Sequence, residues 1–334
     1  MIRIGVLGYG YWGPNLVRNF QETADTEVRI CCDAQPERLT QARARYPGLR
    51  TTTRYGDVLD DPEVDAIAVA TPVATHYDCV RRALEHGKHV LVEKPMTASV
   101  AEAESLVEIA AKHGLTLMVD HTFVYTGAVR KMKEIVEGGS LGALHYFDSV
   151  RINLGLVQPD VNVLWDLAPH DLAILEHLVD ERAVSVCATG ASHVGTGMES
   201  IAYLTVYFDS GLIAHIHNNW LAPVKIRTVL VGGSRQMILY DDMQVSEKVK
   251  VYDQGVEVAS PDGLQRARIS YRLGDMWAPR LDPTEALRMV AGEFVECVKT
   301  GRRPRTDGPA GLSVVRILEA AEMSIKRRGR EVKL

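Results

Sequence analysis

The sequence predicts an α/β protein: an N-terminal doubly wound parallel sheet, then a C-terminal α+β domain with a large, mostly antiparallel open sheet. Three observations carry this. Over the first 120 residues short apolar runs alternate with helical patterns, the order that gives a parallel sheet covered on both faces. Beyond residue 121 the runs lengthen, alternate polar with apolar, and are separated by turn signals. A length of 334 residues exceeds what one core usually holds, so two domains are expected, 1–121 and 122–334, with the last helices able to pack back on the first.

The strand candidates of the first domain are IRIGVLG (2–8), EVRICCD (27–33), DAIAVAT (65–71), HVLVEKP (89–95) and LTLMVDH (115–121). Helices are expected near 13–22, 36–45, 75–86 and 99–113. Pro14 and Pro36 stand where a first helical turn tolerates proline, and Ser99 with Glu102 has the spacing of a capping box. In the second domain a helix near 127–137 ends at Gly138-Gly139, and the strand HYFDSVRINL (145–154) follows. WDLAPHDLAIL (165–175) then opens a helix whose Leu172, Leu175, Leu178 and Val179 recur at helical spacing. Six alternating runs come next: VSVCATGASHV, SIAYLTVYF, GLIAHIHNNW, IRTVLVGG, QMILYDD and KVKVYDQ. They read as an antiparallel meander with helices on one face. Residues 258–282 read as a polar loop, and helices over 283–300 and 308–328 close the chain.

Composition narrows the function. With 46% hydrophobic and 24% charged residues the chain can bury sizeable cores. A net charge of -5 and a pI near 6.1, with no dense basic run, argue against a nucleic-acid partner. The five cysteines form no CxxC and no zinc-like spacing, and adjacent Cys31 and Cys32 read as buried structural thiols. His215 and His217 alternate on one strand face, but no third ligand accompanies them, so no metal is expected. Met1 runs directly into the first strand and no apolar stretch reaches 18 residues, so neither a signal peptide nor a membrane span is expected, and a reducing cytoplasm fits.

GYGYWG (8–13) links the first strand to the first helix. Gly8 permits the tight turn, Gly10 lets backbone approach a pyrophosphate, and Gly13 lets helix and strand pack closely, with Tyr11 and Trp12 in the turn. The free N–H groups of the helix start face the phosphates. Asp33, 20 residues after Gly13, stands where a ribose-binding acid belongs. Its charge would repel a 2′-phosphate, so NAD is favoured over NADP, although Arg38 nearby could tolerate the phosphate. Thr71, Pro72 and His76 of ATPVATH, and Glu93, Lys94 and Pro95 of EKP, end two further strands at the carboxyl edge, where ligands of open α/β sheets bind.

Together GYGYWG, ATPVATH, EKP and the domain order resemble the glucose-fructose oxidoreductase / inositol dehydrogenase / MocA family, over essentially the whole chain. The resemblance implies that Lys94 lies beside the nicotinamide and the sugar hydroxyl being oxidised. The family's DxGxH motif maps onto Asp166-Leu167-Ala168-Pro169-His170, with alanine for the glycine and NVLW in place of the glycine-rich run. Within the family the pattern most resembles nucleotide-sugar 3-dehydrogenases.

Oxidising a secondary alcohol needs an oriented hydride, a base for the hydroxyl proton and stabilisation of the oxygen. Lys94 suits the oxygen as an ammonium, or the proton if burial lowers its pKa. His170 suits the base: placed in the first helical turn, with Pro169, it would feel the positive dipole end and stay neutral. Asp166 reads as the helix N-cap, as a holder of a substrate hydroxyl, or both. Tyr125, Arg151 and Asn153 are further substrate candidates, with His121, Arg130, Gln158 and Asn162 nearby. The competing readings are an NADPH-dependent ketosugar reductase, an inositol or aldose dehydrogenase, and an NAD-binding scaffold without catalysis. A sheet face free of helices would pair subunits, so a homodimer or homotetramer through the C-terminal sheet is expected.

Overall fold

A computed structural model describes residues 1–155, 157–158, 161–195, 197–258 and 269–334. The chain runs β1 (Ile2–Leu7), α1 (Gly13–Glu22), β2 (Thr26–Cys32), α2 (Pro36–Arg45), β3 (Arg50–Thr52), α3 (Tyr55–Leu59), β4 (Ala66–Val69), α4 (His76–Glu85), β5 (His89–Glu93), α5 (Val100–His113) and β6 (Leu117–Asp120). It continues α6 (Gly127–Glu137), β7 (Leu144–Leu154), α7 (Val163–Leu178), β8 (Ala183–Ala191), β9 (Ile201–Phe208), β10 (Ile213–Asn219), β11 (Leu221–Gly233), β12 (Met237–Asp241), β13 (Val249–Val258) and β14 (Ile269–Trp277). Helices α8 (Ala286–Thr300) and α9 (Gly308–Lys326) and the two-residue β15 (Val332–Lys333) complete it. Two compact units result, 1–125 with 284–319 and 126–283 with 320–334.

In the first unit six parallel strands lie in the order β3-β2-β1-β4-β5-β6. The reversal between β1 and β4 is the switch point at which doubly wound sheets bind ligands, at the carboxyl ends of their strands. Strand residues such as Ile4, Val6, Ile67, Val69, Val90 and Val92 are fully buried, as a sheet covered on both faces requires. Ser99 caps α5 by accepting from the Glu102 N–H, and Phe20 of α1 meets Phe294 of α8 edge to face, 6.1 Å between centroids. Strand β3 escaped the sequence reading because three residues at a sheet edge carry no periodicity.

The second unit is a nine-stranded sheet, β14-β13-β12-β11-β7-β10-β9-β8-β15, antiparallel except where β7 runs parallel to β10. Along β9 and β10 the side chains alternate: Ala202, Leu204, Val206, Ala214 and Ile216 are buried, while Tyr203, Ile213 and His215 are exposed. Helix α7 packs on β7, β9 and β10. The expected polar loop over 258–282 needs correction at its ends, since β13 reaches Val258 and β14 spans Ile269–Trp277. These two strands pair with each other, so hydrogen bonding across the pair outweighs the weak local pattern. The middle of that stretch, 259–268, and residues 156, 159 and 160 of the 151–162 run lie outside the described residues. Among the described residues no helix is long and apolar enough to cross a membrane.

Candidate active site

The register of the parallel sheet aligns the carboxyl ends of its strands. Leu7 pairs with Cys32 and Val69, Val69 with Val92, and Glu93 with Asp120. Gly8, Asp33, Lys94 and His121 follow at once, and Thr71 follows one residue later, so one sheet edge collects the motif residues of the first unit. The glycine turn is sterically exact about its composition. Gly8 has φ +96°, and a Cβ there would lie 2.4 Å from the Ala70 carbonyl oxygen. At Gly13 a Cβ would lie 2.1 Å from the Gly8 oxygen, backbone that cannot yield. Gly10 instead faces space, its nearest neighbour being the Arg38 guanidinium at 3.5 Å. Tyr11 and Trp12 are exposed beside it, edge to face at 5.6 Å.

Asp33 is buried, and its carboxylate accepts from the Tyr9 N–H at 2.7 Å and the Gln35 N–H at 2.8 Å, with Arg38 at 3.4 Å. The acid therefore fixes the glycine turn to the end of β2, and each oxygen keeps a lone pair for a ribose hydroxyl. His76 is buried and spans two loops: Nδ1 lies 2.9 Å from the Pro95 oxygen and Nε2 2.9 Å from the Thr71 oxygen. Burial holds its pKa down against these carbonyls, and a neutral ring donates to only one of them. His76 thus ties Thr71 to the EKP segment, while the Thr71 hydroxyl accepts from Thr75 at 2.8 Å.

Lys94 is half-buried and the Lys94–Pro95 peptide is cis. Behind it, Glu93 and Asp120 face each other, both buried. Burial and then the Asp120 charge push Glu93 well up. Burial also raises Asp120, although the Thr122 hydroxyl donates to its Oδ1 at 2.7 Å. His121 follows, its pKa lowered to about 3 by burial and then by the Lys94 charge. Tyr125 turns inward: its hydroxyl pairs with that of Thr306 at 3.2 Å, and burial pushes its pKa up.

In the second unit α7 carries the remaining candidate residues. Asn162, with Oδ1 accepting from the Leu164 and Trp165 N–H groups at 3.1 and 3.2 Å, is the N-cap; Asp166 is not. The helix therefore begins earlier than WDLAPHDLAIL suggests. Pro169 lies at its seventh residue rather than in its first turn, and His170 at its eighth, beyond the reach of the dipole end. The dipole argument for a neutral His170 falls with this placement. Asp166 and His170, four residues apart, share a half-exposed face, while Trp165, Ala168, Pro169 and Leu172 are buried. Asp166 Oδ2 accepts from the indole of fully buried Trp220 at 3.0 Å.

Arg151 lies on β7 and is only 4% exposed. Its Nε donates to both oxygens of Asp171 at 3.0 Å and its Nη2 to Oδ1 at 2.8 Å, with Asn218 at 3.4 Å completing the acid's surroundings. Asn153 is half-buried further along β7. The Arg130 guanidinium pairs with Asp282. His215 and His217 stack with Tyr203 on the open sheet face, and among the described residues no three ligand side chains form a metal group. Sequence reasoning passed over Asp120, Asp171 and Trp220, and the adjacent His170-Asp171 was a usable signal, since neighbours on a helix point to different faces.

Comparison with known proteins bears on both halves. Residues 2–121 match the oxidoreductase family with an NAD-binding Rossmann fold, and residues 129–239 match the GFO/IDH/MocA C-terminal domain. The chain belongs to the glucose-fructose oxidoreductase / inositol dehydrogenase / MocA family. It is thus an oxidoreductase whose first unit is an NAD-binding Rossmann fold. Myo-inositol 2-dehydrogenase of Thermotoga maritima is 25% identical over 100% of this chain and 98% of its own. A dTDP-3,4-didehydro-2,6-dideoxy-α-D-glucose 3-reductase of Saccharopolyspora spinosa is 29% identical over 72% and 74%. The solved UDP-N-acetylglucosamine 3-dehydrogenase of Acidithiobacillus ferrooxidans superposes with a TM-score of 0.79 at 22% identity, over 97% and 99% of the two chains.

Proposed function

We propose that this family member is an NAD-dependent dehydrogenase acting on a secondary hydroxyl of a sugar, at C3 of a nucleotide-linked sugar or uronic acid. The observation that carries the reading is the row of Gly8, Asp33 and Lys94 along the carboxyl edge of one parallel sheet. It has a backbone cradle for a pyrophosphate, an acid for a ribose and an amine where the chemistry would occur. Bound nicotinamide supplies the hydride acceptor. Lys94 donates a hydrogen bond to the substrate oxygen and holds it as the C–O bond becomes a carbonyl. His170 takes the hydroxyl proton. Asp166, one oxygen fixed by the Trp220 indole, orients a neighbouring sugar hydroxyl with the other.

Asn153 remains a substrate contact in this reading. The internal partners of Tyr125 and Arg151 point instead to structural parts. Asp33 argues against the NADPH-dependent reductase, because its charge repels a 2′-phosphate. The relatives named for inositol and for nucleotide-linked sugars support the substrate class. A cytoplasmic setting accords with five free cysteines, and exposed Tyr203, Ile213 and Leu230 on the open sheet face support a homodimer or homotetramer.

The test is NADH formation from NAD with UDP- and dTDP-sugars, uronic-acid forms, myo-inositol and aldoses. Turnover on a nucleotide sugar is expected, and Lys94→Ala and His170→Ala should each lower it ~10²–10⁴-fold. Turnover of either variant within about tenfold of wild type refutes the assignment of that residue. Silence across the whole panel refutes the substrate class.

A further inference from the structure

His121 is a buried titratable group at the sheet edge to which the proposed mechanism gives no part. His121 follows β6 as Lys94 follows β5, and the Glu93–Asp120 register makes the two residues neighbours at the ends of adjacent strands. Its backbone is committed: the N–H donates to the Val119 oxygen at 2.8 Å and the carbonyl accepts from the Val124 N–H at 3.0 Å. The ring is 2% exposed, yet among the described residues neither Nδ1 nor Nε2 has a hydrogen-bond partner. The adjacent Asp120 does not supply one: its Oδ1 accepts from the Thr122 hydroxyl, and its Oδ2 is likewise without a hydrogen-bond partner among the described residues.

Leaving a buried polar group unpaired costs about 1–3 kcal/mol, and folded proteins seldom keep such a group. Phenylalanine would fill this position without that cost. We infer that His121 is a ligand-binding residue, whose imidazole exchanges hydrogen bonds with a group that both donates and accepts, held beside Lys94. A neutral ring offers one N–H and one bare nitrogen, which a carboxamide or a hydroxyl can match. Two sources have that chemistry: the carboxamide of nicotinamide and a hydroxyl of the sugar. The inference rests on the reading of this edge as a dinucleotide site.

The experiment uses the full chain with ¹⁵N-labelled histidine. His121 ring signals, assigned by their loss in His121→Phe, are followed as NADH is added, and then as myo-inositol, D-glucose or UDP-N-acetylglucosamine is added to the NADH complex. In parallel, NADH affinity and thermal unfolding are measured for wild type, His121→Phe and His121→Asn. A ring shift with NADH alone, with NADH binding about tenfold weaker in His121→Phe and partly restored in His121→Asn, supports the carboxamide. A ring shift only on adding a polyol, with NADH affinity unchanged, supports the hydroxyl. In either case free His121→Phe should unfold at or above the wild-type temperature, because an unpaired polar ring has been removed. A ring unmoved by any of these additions overturns the inference while the dinucleotide reading stands. Wild type that fails to bind NADH overturns both.

Discussion

The buried pair Arg151–Asp171 makes the sharpest stability prediction, because it decides whether α7 is held by charge or by packing. Its side chains are 5% and 1% exposed, and three contacts of 2.8–3.0 Å join them. Removing one partner of such a pair strands a charge away from water and costs roughly 3–5 kcal/mol. Removing both in favour of apolar residues of similar volume is often neutral or stabilising, by about 1–4 kcal/mol. Arg151→Met and Asp171→Leu should therefore each lower the unfolding temperature by on the order of 10 °C, taking about 2–4 °C per kcal/mol for a domain of this size. The double variant should recover most of the loss. Thermal melts followed by circular dichroism read all three, and turnover should fall in the single variants, since α7 carries Asp166 and His170. Single-variant losses under about 1 kcal/mol, the scale of an exposed pair, would refute the argument. A double variant as unstable as the singles would do so too.

Four other outcomes follow from particular contacts. Gly13→Ala should lose NADH binding and destabilise the first unit, because its Cβ would sit 2.1 Å from a carbonyl oxygen; titration with NADH checks it. Asp33→Ser should raise kcat/KM for NADP relative to NAD by about tenfold or more, roughly 1.4 kcal/mol, as Arg38 is released toward a phosphate. An unchanged ratio would show that Asp33 serves only the Tyr9 turn. Asn162→Ala should cost about 1 kcal/mol through loss of the α7 cap, measurable as a shift in the urea midpoint. Burial, and then the Lys94 charge, push the His121 ring from its ordinary 6.5 down to about 3, so this group leaves stability unchanged with pH above 6.5 and lowers it as pH falls toward 3. Wild type should accordingly lose stability relative to His121→Phe by up to about 1.4 kcal/mol per pH unit below that point.

How much of this was legible depends on what each element needs from its own sequence. The Rossmann strands and helices read cleanly because buried parallel strands are continuous apolar runs, and because glycines at 8 and 13 are dictated by backbone collisions that no other residue survives. Strands β13 and β14 read poorly, since each is stabilised by the other across the pair rather than by a local pattern. On α7 the sequence singles out Asp166, Pro169 and His170 but misplaces them along the helix. Asn162 before an apolar run was the available cap signal, but Asp166 and Pro169 together imitate a helix start. A sequence window also cannot see that Arg151 meets Asp171, because strand register and helix rotation decide that jointly.

The candidate residues of the two units are built on different physical grounds, which explains why the cofactor is easier to infer than the substrate. The dinucleotide edge is made of backbone: a turn with φ +96°, N–H groups on Asp33, and a strand order that opens a crevice at its switch point. Such features need glycine and little else, so a short motif carries them. The candidate residues of the second unit are side chains on one helix face, with Asp166 held by Trp220 from β10's end and α7 tied to β7 by an ion pair. Changes at Ala168 or in the NVLW run would alter the surroundings of Asp166 and His170 while leaving those two residues in place. On the proposed function, the reaction is read from residues that short motifs mark, and the choice of sugar depends on their packing neighbours. Asn162→Ala and Arg151→Met, acting on those neighbours, should change KM across the sugar panel more unevenly than Lys94→Ala, which removes a contact that every substrate oxygen shares.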